Sequence, residues 1–166
     1  VTNAGDASVS VIDTAHSTVS TIDVAGGPLL GNIAISPDDR TLYVTAPGDY
    51  TMYVIDTTTR AVTAAVLGAI APGDVTFSPD GSYALVSAGD AITVIDTATN
   101  TVATNISAGG AGISMIAFAD NDTAYVTTLF DYNLDPAGKL TTISFAWPNI
   151  VAAESRTMRQ NNFTAS

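Results

Sequence analysis

The sequence predicts an all-β fold built from a repeated unit, and three observations carry that prediction. The four letters Val-Ile-Asp-Thr stand at 11–14, 54–57 and 94–97, so they recur every 40 to 43 residues. Within one period, apolar and polar residues alternate along short runs, as they do in half-buried strands. Turn-forming residues separate those runs, and the sequence shows none of the 3.6-residue periodicity of an amphipathic helix.

Two more markers advance in the same register. Ser-Pro-Asp-Asp at 36–39 returns as Ser-Pro-Asp-Gly at 78–81 and, in degenerate form, at 119–122. Proline sets φ at its turn position, and Asp or Gly tolerates the backbone conformation that the following turn positions require. These segments are therefore expected to be hairpin turns. A run of the type Leu-Tyr-Val-Thr at 42–45 recurs at 84–87 and 124–127. Three markers in register indicate a true structural repeat.

Each period is expected to hold four strands. The predicted strands are 8–13 and 18–22 in the first unit, 32–36, 41–45, 51–56 and 61–66 in the second, 74–78, 82–87, 91–96 and 101–106 in the third, and 114–118, 123–128 and 139–145 in the fourth. Val1–Asn3 is interpreted as the tail of a second strand. Four short strands every 40 residues or so are typical of a β-propeller blade.

These strands predict an all-β fold, a β-propeller segment of about three to four four-stranded antiparallel blades. The expected divisions are a partial first blade at 1–24, blades at 25–67, 68–107 and 108–145, and a non-repeat tail or linker at 146–166, in which no outer strand is evident. Propellers close with about 4 to 8 blades, and open strand edges are a liability. We therefore expect the segment to belong to a larger ring, completed by further blades, or to pair with a second copy.

Several of these segments resemble the YVTN β-propeller repeat. The resemblance rests on Val1–Asn3, on Tyr43–Thr45, on the Ser-Pro-Asp-Gly turn at 78–81 and on the run Val-Ile-Asp-Thr-Ala-Thr-Asn-Thr-Val at 94–102. It covers about residues 1–145. That family occurs in archaeal surface-layer proteins and in secreted or envelope proteins of bacteria, so the resemblance implies an extracellular or cell-envelope location.

Composition excludes several functions. The net charge of −11 argues against nucleic acid, whose phosphates require a basic face. The absence of cysteine removes disulfides, thiol catalysis and thiolate metal sites, and a single histidine leaves little material for a zinc site or a catalytic triad. No apolar run is long enough to span a membrane.

Aspartates recur at the loops that join second to third strands. Asp6, Asp49, Asp90 and Asp131 each end such a loop. They could form an acidic arc that attracts cations, or each could cap its own hairpin by accepting from backbone N–H groups. Strict repetition favours capping. The same structural interpretation applies to Asp13, Asp56 and Asp96, which end the Val-Ile-Asp motif, and His16 is expected to be a solvated turn residue.

One loop breaks the repeat. The fourth unit carries about eight extra residues near Leu129–Gly138, and insertions often mark a working face. Asp131, Asn133 and Asp135 alternate there and could offer oxygens to Ca²⁺, but Pro136 stands where an EF-hand loop needs glycine. Phe130 and Tyr132 could contact a partner or pack beneath the loop. No other cofactor is expected.

The function expected from these features is a non-enzymatic, secreted or cell-envelope scaffold that binds a protein or glycan partner. Two alternatives stay open. One is a propeller enzyme, similar to lactonases or amine dehydrogenases, with its active site in blades outside this sequence. The other is a structural protein of a surface layer. No catalytic residues are predicted within the 166 residues.

Overall fold

The computed structural model describes residues 1–24, 27, 29–66, 71–108, 110–131, 139–144 and 156–158. Over these residues the chain forms antiparallel strands and one 3-10 turn, Pro47–Asp49. The strands are β1 Thr2–Asn3, β2 Ser8–Asp13, β3 Thr18–Asp23, β4 Ile33–Ile35, β5 Thr41–Ala46, β6 Thr51–Asp56, β7 Val62–Val66, β8 Pro72–Phe77, β9 Tyr83–Ala88, β10 Ala91–Asp96, β11 Thr101–Ser107, β12 Gly110–Asp120, β13 Thr123–Asp131, β14 Lys139–Ser144 and β15 Arg156–Met158.

The strands form four sheets in which neighbours in sequence are neighbours in space. The first sheet is β1–β3, the second β4–β7, the third β8–β11 and the fourth β12–β15, each a simple antiparallel meander. This confirms the predicted all-β fold, and the sheets follow one another as the blades of a propeller do. The first sheet has the three strands expected of a partial blade, with Thr2–Asn3 paired to β2 at Val9 and Ser8.

Strand positions agree with the prediction to within a few residues, and two differences stand out. β15 pairs with β14 and supplies the fourth sheet with an outer strand that the sequence did not reveal. The boundary placed at residue 145 itself stays a prediction. In addition, β13 continues to Asp131 and pairs with β12 through Ala111 and Gly110. Residues 129–131 therefore belong to a strand, so the predicted loop Leu129–Gly138 was placed too early.

The core lies between successive sheets. Because a strand presents alternate residues to opposite faces, β5 sends Val44 and Ala46 into the cluster shared with the first sheet and Tyr43 into the cluster shared with the third. The third and fourth sheets share another cluster, which includes Leu85, Ile92 and Ile143. The second and third sheets are therefore buried on both faces. The core is formed by the stacking of sheets and not by any single sheet.

Within the described ranges, the structure contains no helix with the length and apolar character needed to cross a membrane.

Candidate functional site

The Asp of the Val-Ile-Asp motif holds a turn in each of the first three sheets. Asp56 Oδ1 accepts from the backbone N–H of Thr58 at 2.9 Å and of Thr59 at 2.6 Å. Asp13 and Asp96 accept in the same way from the amides two and three residues further on. The residue four positions on has a positive φ in each case, namely Ser17, Arg60 and Asn100. The predicted structural role is confirmed.

These hydrogen bonds lower the pKa values of Asp13 and Asp56. The pKa of Asp56 is lowered chiefly by the backbone N–H of Thr59 and then by its hydroxyl group. The pKa of Asp13 is lowered chiefly by the side chain of His16, whose Nδ1 lies 2.8 Å from Asp13 Oδ2. His16 is 78% exposed, as a solvated turn residue should be, but it has this aspartate as a partner.

The Ser-Pro-Asp turns use a second repeated arrangement. Ser36 Oγ donates to Asp38 Oδ1 at 2.6 Å, and Ser78 Oγ donates to Asp80 Oδ1 at 2.7 Å. Each aspartate also accepts a backbone N–H two residues later. The serine hydroxyl is the largest cause of the lowered pKa of Asp38 and of Asp80. The hairpin turns predicted from these motifs are therefore confirmed.

The loop aspartates whose side chains are described do not converge on a cation site. Asp6 Oδ1 accepts from Ser8 Oγ, whereas Asp49 Oδ2 accepts from the N–H of Gly27 and from the hydroxyl of Tyr53. In the part of the chain that the structure describes, no three Asp, Glu or His side chains are placed to share a metal ion. The capping interpretation was wrong in detail for Asp49, because its N–H partner belongs to the segment joining two sheets and not to its own hairpin.

The side chains predicted to bind calcium or a partner lie outside the described part of the structure. Phe130 and Asp131 end β13, and their side chains lie outside the described residues, as do Tyr132, Asn133 and Asp135 altogether. These assignments stay predictions. A Ca²⁺ titration of the chain against Asp135→Asn would check the calcium site.

The structure reveals a feature that the sequence did not, at the turn between β5 and β6. Tyr50 follows the 3-10 turn with φ 54° and ψ 35°, and its side chain is 51% exposed. A positive φ is uncommon for a large side chain, and Ala7 has it at the equivalent place in the first sheet. Leu29 is also exposed and lies against Gly48, where an added Cβ would come within 3.1 Å of the Leu29 Cβ. We call residues 29 and 47–50 the Tyr50 turn.

Contacts from two directions fix the Tyr50 turn. Asp49 binds Gly27 on the segment before the second sheet, and Thr51 Oγ1 donates to the carbonyl oxygen of Asp49 at 2.9 Å. Burial, and after it the charge of Asp49, raises the pKa of Tyr53, whose hydroxyl donates to that carboxylate. The turn therefore presents Tyr50 and Leu29 from a fixed backbone, an arrangement suited to binding and not to proton transfer.

Asp74 links the second, third and fourth sheets at or next to their first strands, β4, β8 and β12. Its Oδ1 accepts from Asn32 Nδ2 of the second sheet at 3.2 Å, and its Oδ2 accepts from the N–H of Ile116 in the fourth at 2.7 Å. Its own N–H donates to Ser87 Oγ at 2.7 Å. The sequence does not reveal this role of Asp74, because a contact between blades leaves no local signal.

Similarity to known proteins agrees with this architecture. The chain is 45% identical over 103 residues to the Seven-bladed beta-propeller protein Rv1057 of Mycobacterium tuberculosis, an alignment that takes in 58% of this chain and 26% of that protein. The chain thus spans about a quarter of this relative. No family model matches the sequence.

Two solved structures share the fold. The hydrazine synthase of Kuenenia stuttgartiensis superposes with a TM-score of 0.75 over 91% of this chain and 44% of its own, at 22% identity. The dihydro-heme d1 dehydrogenase NirN, solved in complex with DHE, superposes with a TM-score of 0.71 over 95% of this chain and 34% of its own, at 19% identity. At these identities the likeness concerns the fold alone, and the protein is a β-propeller segment.

Proposed function

We propose that this segment is part of a non-enzymatic β-propeller scaffold that binds a protein partner through the Tyr50 turn. The observation that carries the proposal is the exposed Tyr50, which follows a turn whose backbone is fixed on both sides. A rigid, exposed aromatic side chain is a usual centre of a protein interface, because it buries a large apolar area at little entropic cost.

Leu29, which is exposed in the same turn, favours a protein partner over a glycan. A sugar ring stacks on a flat aromatic face, whereas Leu29 adds an aliphatic surface that suits a side chain of another protein. The acidic side chains nearby are already engaged, since Asp49 binds Gly27 and Tyr53. Charged groups at the edge of such an interface therefore affect the rate of association more than the affinity.

The enzyme alternative has less support. Two structural neighbours carry the names of enzymes, but each is less than a quarter identical to this chain. Among the described side chains, His16 is paired with Asp13 in an exposed turn, and Asp6, Asp56 and Asp80 accept from backbone N–H or hydroxyl groups. We propose, with the scaffold role, an extracellular or cell-envelope location, which fractionation of the source cells would test.

The experiment uses a random peptide library selected on the immobilised chain, since no partner is known. Selected peptides are then titrated against the chain, against Tyr50→Ser, and against Val102→Ser as the control. Val102 is exposed on β11 in the third sheet and outside the Tyr50 turn. Loss of a central aromatic contact costs about 2 kcal/mol or more, so Tyr50→Ser should weaken binding at least about tenfold and Val102→Ser should not.

Three results would contradict the proposal. Peptides that bind Tyr50→Ser as well as the unaltered chain would show that the turn is not the preferred surface. Binding of linear glucan oligosaccharides that depends on Tyr50 would replace the protein partner with a glycan. Hydrolysis of a simple δ-lactone by the chain would favour the enzyme.

A further inference from the structure

A polar cavity of about 200 Å³ opens between the second and third sheets, at the end of β5 opposite the Tyr50 turn. Each of the two sheets contributes four residues to its lining. They are Ser36, Pro37, Asp38 and Thr41 from the second sheet, and Phe77, Asp80, Gly81 and Thr97 from the third. A cavity of about 150 Å³ is large enough to bind benzene, so this one has room for a small organic group.

The turns of the two sheets meet on one side of the cavity. An added Cβ on Gly81, whose φ is 74°, would lie 3.3 Å from Cδ of Pro37. Thr97 holds the Gly81 turn from within the third sheet, because its hydroxyl donates to the carbonyl oxygens of Gly81 and Ser82. The third sheet therefore offers the cavity a wall with a fixed backbone.

The lining contains two carboxylates and, over the described residues, no basic side chain. Asp38 and Asp80 hold the same place in successive repeats. In each, the serine hydroxyl and the N–H two residues later both donate to Oδ1, and Oδ2 accepts neither of these bonds. The cavity thus concentrates two negative charges whose side chains are already oriented.

Arg40 does not fill this cavity. The pKa of Asp38 is lowered chiefly by the Ser36 hydroxyl, with a smaller contribution from the charge of Arg40. Arg40 is not a lining residue, and among the described side chains it forms no ion pair with Asp38 or Asp80. The lowered pKa of Asp80 involves no cation, since the Ser78 hydroxyl is its chief cause. The charge of the cavity therefore stays open to a cation from another molecule.

The equivalent place between the third and fourth sheets is bridged. Ala-Asp-Asn at 119–121 stands where the third sheet has Ser-Pro-Asp, so Asn121 corresponds to Asp80. Asn121 Oδ1 accepts from the N–H of Asp80 at 3.0 Å and joins the two sheets. Ala119 has no hydroxyl with which to hold Asn121, whereas Ser78 holds Asp80 within its own turn. The serine thus keeps Asp80 from bridging to the second sheet, and the space between them is open.

We propose that this cavity binds the ammonium group of a lysine side chain presented by a partner protein. An ammonium is compact and donates to single acceptors on separate groups, as the two Oδ2 atoms provide. A guanidinium prefers both oxygens of one carboxylate, and here Oδ1 of each is already engaged. Pro37 and Phe77 add apolar surface for the methylene stem of lysine.

The energetics of exposed charges favour a protein over a free amine. Ion pairs that are open to solvent contribute little by themselves, so a site of this kind works as one contact within a larger interface. The net charge of −11 also favours the approach of a basic surface.

The first test titrates the chain with Nα-acetyl-lysine methylamide and follows backbone amides by NMR. Saturable shifts are expected at Gly81 and Thr97, within the cavity lining. Asp38→Asn and Asp80→Asn each remove one charge and keep the Oδ1 acceptor. Each should weaken binding about two- to fivefold, the range found for exposed ion pairs. Asp23→Asn, at the end of β3, removes the same charge outside the cavity and should not.

The second test supplies the lysine from the chain itself. Thr41 lines the cavity, so the ammonium of Thr41→Lys should occupy it and weaken binding of the probe at least about tenfold. Thr18→Lys is the matched control, because it adds the same charge at the start of β3. It should leave the affinity within about twofold.

Four results would overturn the proposal. Equal weakening by Asp23→Asn and Asp80→Asn would show that binding follows net charge and not this cavity. Binding of Nα-acetyl-arginine methylamide as tight as that of the lysine probe would remove the preference for an ammonium. Displacement of the probe by Ca²⁺ at millimolar concentration would make the cavity a metal site. Tighter binding of 1,4-diaminobutane that depends on Asp80 would replace the partner protein with a free polyamine.

Discussion

Two interfaces between sheets of this molecule are built on one plan and differ in the side chains that fill them. We call the interface between the second and third sheets the filled interface and that between the first and second the open interface. Val54 of the filled interface is 8% exposed, whereas its equivalent in the open interface, Val11, is 37% exposed. In the filled interface Tyr43 of the second sheet packs against Phe77 of the third, so a side chain of one sheet completes the core that it shares with the next.

The fourth sheet makes the same point from the other end. Tyr125 corresponds to Tyr43, because the Oγ1 of Thr127 and of Thr45 each accept the N–H of the neighbouring inner strand. Tyr125 faces away from the third sheet and is 38% exposed, where Tyr43 is fully buried. The same repeat position is thus buried where another described sheet packs against it and partly exposed where none of the described sheets does.

The largest expected effect comes from emptying the filled interface. Tyr43→Ala removes a buried ring, its contact with Phe77 and its hydrogen bond to Asn100. We expect the free energy of unfolding to fall by about 3–5 kcal/mol in urea titrations, the usual cost of such a truncation. Tyr125→Ala is the matched control and should cost less than about 1 kcal/mol. Equal losses for the two variants would contradict the comparison.

The next largest loss of stability should come from breaking the contacts of Asp74 with the neighbouring sheets. Asp74→Ala leaves the N–H of Ile116 without its acceptor and frees Asn32 from the third sheet. An unsatisfied group of this kind costs roughly 1–3 kcal/mol, measured by the same unfolding titration. Asp74→Asn keeps one acceptor oxygen and should lose less. If Asp74→Ala changed stability no more than an exposed substitution does, the three sheets would not depend on this link.

A smaller effect should follow from making the open interface resemble the filled one. Ile35→Phe gives the second sheet the residue type that the third sheet has at Phe77. The new ring should fill part of the apolar cavity of about 310 Å³ between the first and second sheets. Filling a cavity commonly adds about 0.5–2 kcal/mol, which would appear as a higher melting temperature. A loss of stability would show that the two interfaces differ in shape and not merely in occupancy.

The smallest effect is the response to acid of the turns that border both interfaces. The pKa of Asp56 is lowered from its usual 3.8, so its carboxylate favours the folded state above the unfolded pKa. That contribution is lost as the pH falls through the lower, folded-state pKa. The urea midpoint should therefore drop on acidification below about pH 4, and Asp56→Asn should show a shallower drop because its side chain does not titrate there.

A change in the unfolding midpoint that Asp56→Asn leaves unaltered would assign the acid response to other groups. Asp13, Asp38 and Asp80 have pKa values lowered in the same direction and would be the next to replace.

Local patterns made the strands and turns predictable. Asp13, Asp56 and Asp96 bind amides two and three residues away, so their role follows from the sequence nearby. Asp49 reaches the segment that joins the first two sheets, 22 positions away, and Asp74 reaches the fourth sheet, 42 positions away, and no local signal marks such partners. β15 was missed because it is only three residues long and starts further from the preceding strand than the outer strands of the other sheets do.

The Tyr50 turn shows the same limit for the candidate site. The sequence places a tyrosine after Pro-Gly-Asp, but it does not show that Tyr50 is exposed or that Asp49 fixes the turn by binding Gly27, 22 positions away. The equivalent residue of the first sheet, Ala7, also has a positive φ, so the backbone is repeated and the aromatic side chain is specific to the second sheet.

Native-state hydrogen exchange of Val11 and Val54 tests the central claim most directly, because these residues hold equivalent places on β2 and β6. If Tyr43 protects the filled interface, the Val11 amide in the open interface should exchange at least about tenfold faster than that of Val54, and Tyr43→Ala should bring Val54 toward the rate of Val11. Equal protection in the unaltered chain, or a Val54 amide unaffected by Tyr43→Ala, would contradict the account.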